Sequence, residues 1–260
     1  MLEVLDIGTE TATHETPLLF VHGTSHAAWC WDEHFLRYFS EHGYRAAAVN
    51  LRGHGRSRTD TPIRRVSLAD FVEDLRASVV AMGTAPVLIG HSLGGFVIAR
   101  YLERYETPGA ILVASAPPYG SWGTLSRALR RYPRLMLKTA LRGKLGLDFS
   151  APALARRWFF SRDLPEELVV RYAACLQEES DRALIDCLFQ RRVRGRRSVP
   201  MLVLAAQDDF VFSPRDTAAT ARAYGAEWQL IPHLAHDVML DTRWQAAAEA
   251  IRLWLDQHGF

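Results

Sequence analysis

Cysteine is scarce in this chain: three in 260 residues, Cys30, Cys175 and Cys187, with no C-x-x-C pair. An odd, dispersed set rules out a disulfide framework and a cysteine-built zinc site, and predicts free thiols in a reducing cytoplasm. Lysine is scarcer still, with Lys138 and Lys144 standing against 29 arginines. No apolar run reaches the length of a membrane span. The first residues lack the basic-then-apolar pattern of a secretory signal. Repeats and low-complexity tracts are missing, and so is any cluster at metal-ligand spacing, so neither a metal nor an organic cofactor is expected. What remains is an ordinary globular composition, 48% apolar and 23% charged, in a chain long enough to bury one full core.

The most informative stretch is Gly90-His91-Ser92-Leu93-Gly94-Gly95. The apolar run Pro86–Ile89 before it reads as a buried strand, and Phe96–Leu102 after it reads as a helix. G-x-S-x-G on a strand-to-helix turn lifts a serine above the sheet on strained backbone, where a tight turn tolerates little bulk. The hydroxyl lands at a helix N-terminus, whose N–H groups face developing negative charge. A second landmark is Leu18–Val21 running into His22-Gly23-Thr24-Ser25-His26. An oxyanion hole needs two N–H donors aimed at one point, one just after the nucleophile and one from a neighbouring loop. Leu93 and Thr24 supply them. A third landmark, Arg52-Gly53-His54-Gly55-Arg56-Ser57, follows the strand Arg45–Val49.

With these three motifs in order, the chain resembles the α/β-hydrolase family. The His26–Trp31 run is similar to the small-esterase and hydroxynitrile-lyase branch, although Ala27 stands where that branch often has glycine. The resemblance implies an α/β-hydrolase fold: a mostly parallel sheet of about six to eight strands, helices on both faces and a helical cap insertion. It also implies a triad in the order serine, acid, histidine. The acid is expected after the strand Met201–Leu204. Aligning Ala206 with the family's glycine gives Asp209, while Asp208 stays open as the neighbour one residue early. The base is expected after Glu227–Ile231. His236-Asp237-Val238 fits the family pattern, and His233 reads as a loop histidine. The implied catalytic set is Ser92, Asp209 and His236, with Thr24 and Leu93 as the oxyanion hole.

Strands are expected at Leu2–Ile7, Leu18–Val21, Arg45–Val49, Pro86–Ile89, Ala110–Val113, Met201–Leu204 and Glu227–Ile231, with Glu10–Glu15 a hairpin partner or a loop. Helices are expected at Ser67–Met82, on the spacing of Phe71, Leu75, Val79 and Met82, and at Trp244–Gln257. Residues 119–198 break the alternation, with helical stretches at Leu125–Leu141, Pro152–Phe160, Pro165–Gln177 and Asp181–Arg191. The expected division is therefore a core of 1–118 and 199–260 with a cap of 119–198.

That middle region holds 17 Lys and Arg against 8 Asp and Glu. Arg127, Arg130, Arg131, Arg134 and Lys138 fall at helical spacing on one face. The simplest reading is a solvated face or a basic cap docked on an acidic core. Attraction of an anionic substrate and contact with an anionic membrane are the sharper ones. No nucleic-acid module is recognisable. The cap aromatics, Trp122, Tyr132, Phe149, Trp158, Phe159 and Phe160, are expected to pack against the core, some of them lining an apolar pocket.

Three functions stay open. The first is hydrolysis of carboxylic esters of small to medium apolar substrates through an acyl-enzyme. The second is carbon–carbon bond hydrolysis or lyase chemistry by the same triad. The third is ligand binding by a silent triad. The partner expected is a small-molecule substrate. The related lyases rely on a lysine, and both lysines here fall in the cap.

Overall fold

The structure, a computed structural model, describes residues 2–9, 14–141, 147–189 and 199–260. Its strands are β1 (Val4–Ile7), β2 (Leu18–Val21), β3 (Ala46–Val49), β4 (Val87–His91), β5 (Ala110–Val113), β6 (Met201–Ala206) and β7 (Glu227–Ile231). They form one seven-stranded sheet in the order β1-β3-β2-β4-β5-β6-β7. Only β1 runs antiparallel, against β3; the other pairs are parallel. Every residue of β2, β3, β4 and β5 is buried. A strand covered on both faces reads as an unbroken apolar run, which is why these were visible without alternation. β1 alternates half-buried and exposed residues, as an edge strand does.

Helices α1 (Trp29–Asp32), α2 (Phe35–Glu41), α3 (Leu68–Met82), α4 (Leu93–Tyr101) and α11 (Trp244–Gln257) belong to the alternating part, as does α10 (Pro214–Tyr224). α3 begins on a capping box. Asp70 N–H donates to Ser67 Oγ at 3.2 Å, and Ser67 N–H donates to Asp70 Oδ2 at 2.8 Å. Ser213 and Asp216 repeat the device at the start of α10. α1 and α2 are too short to show a helical period and were not anticipated. Residues 10–13 of the expected hairpin partner lie outside the described residues, and His14 and Glu15 are not in a strand.

Between β5 and β6 lie α5 (Trp122–Arg131), α6 (Pro133–Leu141), α7 (Pro152–Phe159), α8 (Glu166–Cys175) and α9 (Asp181–Phe189). The expected single helix over Leu125–Leu141 is thus two. Pro133 has no N–H to donate and drives the residue before it out of the helical region; Tyr132 sits at φ −133°, ψ 51°. The shared basic face breaks with it. Arg127 is half-buried and pairs with Asp216 at 2.9 Å. Arg130, Arg131, Arg134 and Lys138 are exposed. Residues 190–198, with their five arginines, and Lys144 fall outside the described residues.

Candidate active site

The sheet order brings the landmarks together. β2 and β4 are neighbours, with Val21 opposite Gly90, so the loops leaving them start side by side. This is the switch point of an open α/β sheet, where ligands bind beyond the strand ends. Gly23 has to be glycine for the approach: a Cβ there would lie 2.9 Å from Ser92 Cβ and 2.7 Å from His91 Nδ1. Gly94 lets the start of α4 press onto the end of β2, since its Cβ would fall 2.4 Å from the Val21 carbonyl oxygen. Ser92 stands at φ 53°, ψ −117°, a strained conformation for a residue with a side chain. Its N–H donates to the Val113 carbonyl at 3.0 Å, anchoring the turn to β5.

The loops after β6 and β7 complete the cluster. His236 Nε2 lies 3.0 Å from Ser92 Oγ. His236 Nδ1 lies 2.9 Å from Asp209 Oδ2. A carboxylate accepts, so Nδ1 carries the proton and Nε2 is left to accept from the serine hydroxyl. Asp209 Oδ1 accepts from the Val211 and Phe212 N–H groups at 2.6 and 2.9 Å, which fixes the carboxylate. Ser92, Asp209 and His236 are all buried. Asp208 and His233 are exposed. They face an outer groove shared with Arg157 and Arg243, away from Ser92. Thr24 and Leu93 both line the cavity above the serine. Among the described residues, neither backbone N–H has a hydrogen-bond partner.

A layer of buried polar groups, not anticipated from the sequence, lies beneath. His26 Nε2 meets Asp237 Oδ2 at 2.9 Å and His26 Nδ1 meets the Thr24 carbonyl at 2.7 Å. His91 Nε2 donates to the His236 carbonyl at 2.9 Å. Burial and the neighbouring His236 hold His91 down at about 3, so it stays neutral. His22 accepts from Leu51 N–H at 3.2 Å through Nε2 and donates to the Gly23 carbonyl at 2.9 Å through Nδ1. Burial, reinforced by His54, keeps it neutral as well. Glu179, between α8 and α9, accepts from Ser25 N–H at 3.0 Å and faces His54 Nε2 at 3.5 Å. The one signal for Asp237 was its place beside His236. Glu179 lies more than 150 positions from Ser25, and nothing in the pattern joins them.

Among the described residues, His91, His236 and Asp237 form a trio of metal-ligating types, with donor atoms within 4.8 Å of one another. Both ring nitrogens of His236 are taken by Asp209 and Ser92. The His91 donor is turned to a carbonyl. The trio is a hydrogen-bonded cluster rather than a cation cage.

The cavity over Ser92 measures about 200 Å³. Its walls are apolar: Leu125, Met136, Phe149, Trp158, Phe159 and Leu188, all from the segment between β5 and β6, face Val211 and Phe212. Phe159 stacks on the His236 ring, centroids 5.9 Å apart. Tyr132 and Phe160 face the outer groove instead, and Trp122 is exposed, edge-on to Phe189. Among the described residues, no lysine or arginine lines the cavity. Cys187 does, and burial pushes its thiol up to about 12, which leaves it un-ionised. The three cysteines are unbridged. Among the described residues, no helix is long and apolar enough to cross a membrane.

The alpha/beta hydrolase family model matches residues 18–250, and the chain belongs to that family. It is similar to a non-heme chloroperoxidase of Streptomyces lividans, 41% identical over 107 residues, which are 39% of this chain and 37% of that protein. It is similar also to an esterase of Oryza sativa subsp. japonica, 31% identical over 122 residues, 44% of this chain and 42% of that protein. The matched stretches are therefore under half of these relatives' own length. A thermophilic esterase from Thermogutta terrifontis superposes with a TM-score of 0.77 at 23% identity, covering 100% of this chain and 94% of that one. At that identity the likeness is one of fold.

Proposed function

We propose that the protein hydrolyses carboxylic esters of small to medium apolar substrates. The observation that carries this reading is the hydrogen-bonded chain Ser92–His236–Asp209 at the floor of an apolar cavity. Neutral His236 takes the Ser92 proton as Oγ attacks the ester carbonyl. Asp209 holds the tautomer and steadies the imidazolium that forms. The Thr24 and Leu93 N–H groups receive the oxyanion. His236 then protonates the departing alkoxide, leaving an acyl-Ser92. Water, deprotonated by His236, attacks that ester, releases the acid and restores Oγ–H. Every step uses side chains and backbone amides of this chain, and none calls for a cofactor.

Residues 119–198 act in this reading as a cap on a core of 1–118 and 199–260. The cap's aromatics select substrate by apolar contact, while its described arginines lie outside the cavity.

A second reading draws on the relatives' names, which include a non-heme chloroperoxidase and a bifunctional esterase/perhydrolase of Acinetobacter calcoaceticus. The same acyl-enzyme opened by hydrogen peroxide instead of water yields a peracid, with no change in the protein groups needed.

The test is paired. A fluorophosphonate probe should label the parent protein and not Ser92→Ala, whose kcat should fall on the order of 10⁶-fold. Labelling that persists in the variant sinks the assignment of the nucleophile. Nitrophenyl esters from acetate to palmitate should be turned over best at short and medium length. A folded, probe-reactive protein that cleaves no ester points to carbon–carbon bond chemistry instead.

A further inference from the structure

The Ser92–His236–Asp209 chain leaves two ionisable residues beside it unused. His26 and Asp237 have side chains 1% and 0% exposed. His26 Nδ1 lies 2.7 Å from the Thr24 carbonyl oxygen, and Nε2 lies 2.9 Å from Asp237 Oδ2. A carbonyl oxygen can only accept, and so can a carboxylate. Two acceptors at the two ring nitrogens require a proton on each. The other way to satisfy the same distances is a protonated Asp237 donating to a neutral ring. Ordinary proton affinities favour the ring, since histidine titrates near 6.5 and aspartate near 3.8 outside a protein.

The surroundings act in both directions. Burial opposes charge on the ring, while Asp237 and, further off, Glu179 favour it. Trp29 lies stacked on the His26 ring, centroids 5.6 Å apart, where a cation is attracted to an aromatic face. Phe159 closes the other side edge-on at 5.7 Å. His22 and His91 are neutral and add no repulsion. His54 faces Glu179 at 3.5 Å, so any charge it carries meets a carboxylate before it meets His26. Asp237 Oδ1 is 3.8 Å from His91 Nε2 and has no closer donor. An ionised Asp237 in this buried position therefore depends on His26 for its counter-charge.

What the pair holds matters more than the pair itself. The Thr24–Ser25 peptide has its carbonyl oxygen bound by His26 and its N–H bound by Glu179 at 3.0 Å. Ser25 is strained at φ 64°, and its own carbonyl accepts from Gln177 N–H at 2.8 Å. The Thr24 N–H, one of the two oxyanion donors, is the adjoining peptide. Asp237, at the other end, is the residue after His236, and its N–H donates to the Phe159 carbonyl at 2.9 Å.

We propose that His26 is a positioning residue: a buried imidazolium that ties the oxyanion loop, through Thr24, to the base loop, through Asp237. The spacing between the Thr24 donor and His236 is then set by one rigid ring with a charge-assisted bond at one end. This rests on the hydrolytic reading of the site, but its first test does not. In ¹⁵N-detected NMR of the unliganded wild-type protein, both ring nitrogens of His26 should carry protons at pH 7. A single protonated nitrogen overturns the proposal, whatever the enzyme's activity.

The kinetic tests are normalised to fluorophosphonate-titrated sites. His26→Phe keeps the ring's bulk but loses both bonds. Its kcat should fall about 10²-fold, the scale of a displaced catalytic group, with KM changed by less than about threefold. Wild-type kcat in this variant overturns the positioning role. Asp237→Asn is close to isosteric, and its amide can donate to Nε2. The doubly protonated signature of His26 should vanish in it, and its persistence contradicts the pairing. If His26→Phe does not fold, the wild-type and Asp237→Asn spectra still decide. If wild-type Ser92 takes no probe, the hydrolytic reading fails while the NMR result stands by itself.

Discussion

Phe159 lies stacked on His236, ring planes 28° apart and centroids 5.9 Å apart. Helix α7, between β5 and β6, thus supplies one wall beside the His236 ring. Phe159→Ala should cost about 3 kcal/mol of unfolding free energy, as a buried phenyl is removed. It should also widen the cavity toward longer acyl chains. The ratio of kcat/KM for octanoate to acetate esters reads this directly, and an unchanged ratio means that Phe159 covers His236 without selecting substrate.

The two adjacent acids can be separated. Asp209 is buried and bonded to His236, whereas Asp208 faces solvent. Asp209→Asn should lower kcat on the order of 10⁴-fold through loss of the correct tautomer. Asp208→Asn should change it by less than about twofold, as for a surface substitution away from the chemistry. The reverse ranking would move the acid by one position.

Among the described residues, the arginines of α5 and α6 divide into one that contacts the segment after β6 and an exposed set. Arg127 pairs with Asp216 at 2.9 Å and donates to the Phe210 carbonyl at 3.2 Å and to the Val211 carbonyl, on the segment that carries the Asp209 contacts. Arg127→Ala should lower unfolding free energy by about 1–3 kcal/mol. Neutralising Arg130, Arg131 and Arg134 together should leave kcat/KM for a neutral ester nearly unchanged. Salt-sensitive cosedimentation with anionic vesicles, abolished by the triple change, would instead assign those arginines to a membrane surface.

Acid and base limbs of stability should differ in origin. Burial works against ionised Asp237 and Glu179, but His26 and His54 outweigh it, and both carboxyls sit below their ordinary values. Their contribution is present above the usual carboxylate range and is lost as pH falls through the lowered values. Burial likewise opposes charge on His26 and His54, and Asp237 and Glu179 outweigh it, raising both. That contribution is full below about 6.5 and fades as pH rises through the raised values. Tm should therefore peak between about pH 5 and 6.5. A Tm that climbs steadily from pH 6.5 to 9 contradicts the pairing.

The parts of this protein written locally were legible in its sequence. The buried strands announce themselves as apolar runs, and the Gly90–Gly95 turn carries its constraint in its own residues, because glycine is needed where backbones close to within a Cβ radius. Through the family resemblance, the alignment of Ala206 with the family's glycine pointed to Asp209 ahead of Asp208. Only the tertiary structure shows the contacts behind that ranking, in which Asp209 bonds to His236 at 2.9 Å while the Asp208 N–H donates to the Leu234 carbonyl at 2.9 Å. It also split the basic helix at Pro133, a break that helical spacing alone passed over. The His26–Asp237 and Ser25–Glu179 contacts join positions more than 150 residues apart. A hydrogen bond between distant residues has no period and no composition. It exists only once the sheet order has set β2 beside β4 and the segment between β5 and β6 has brought Glu179 to Ser25.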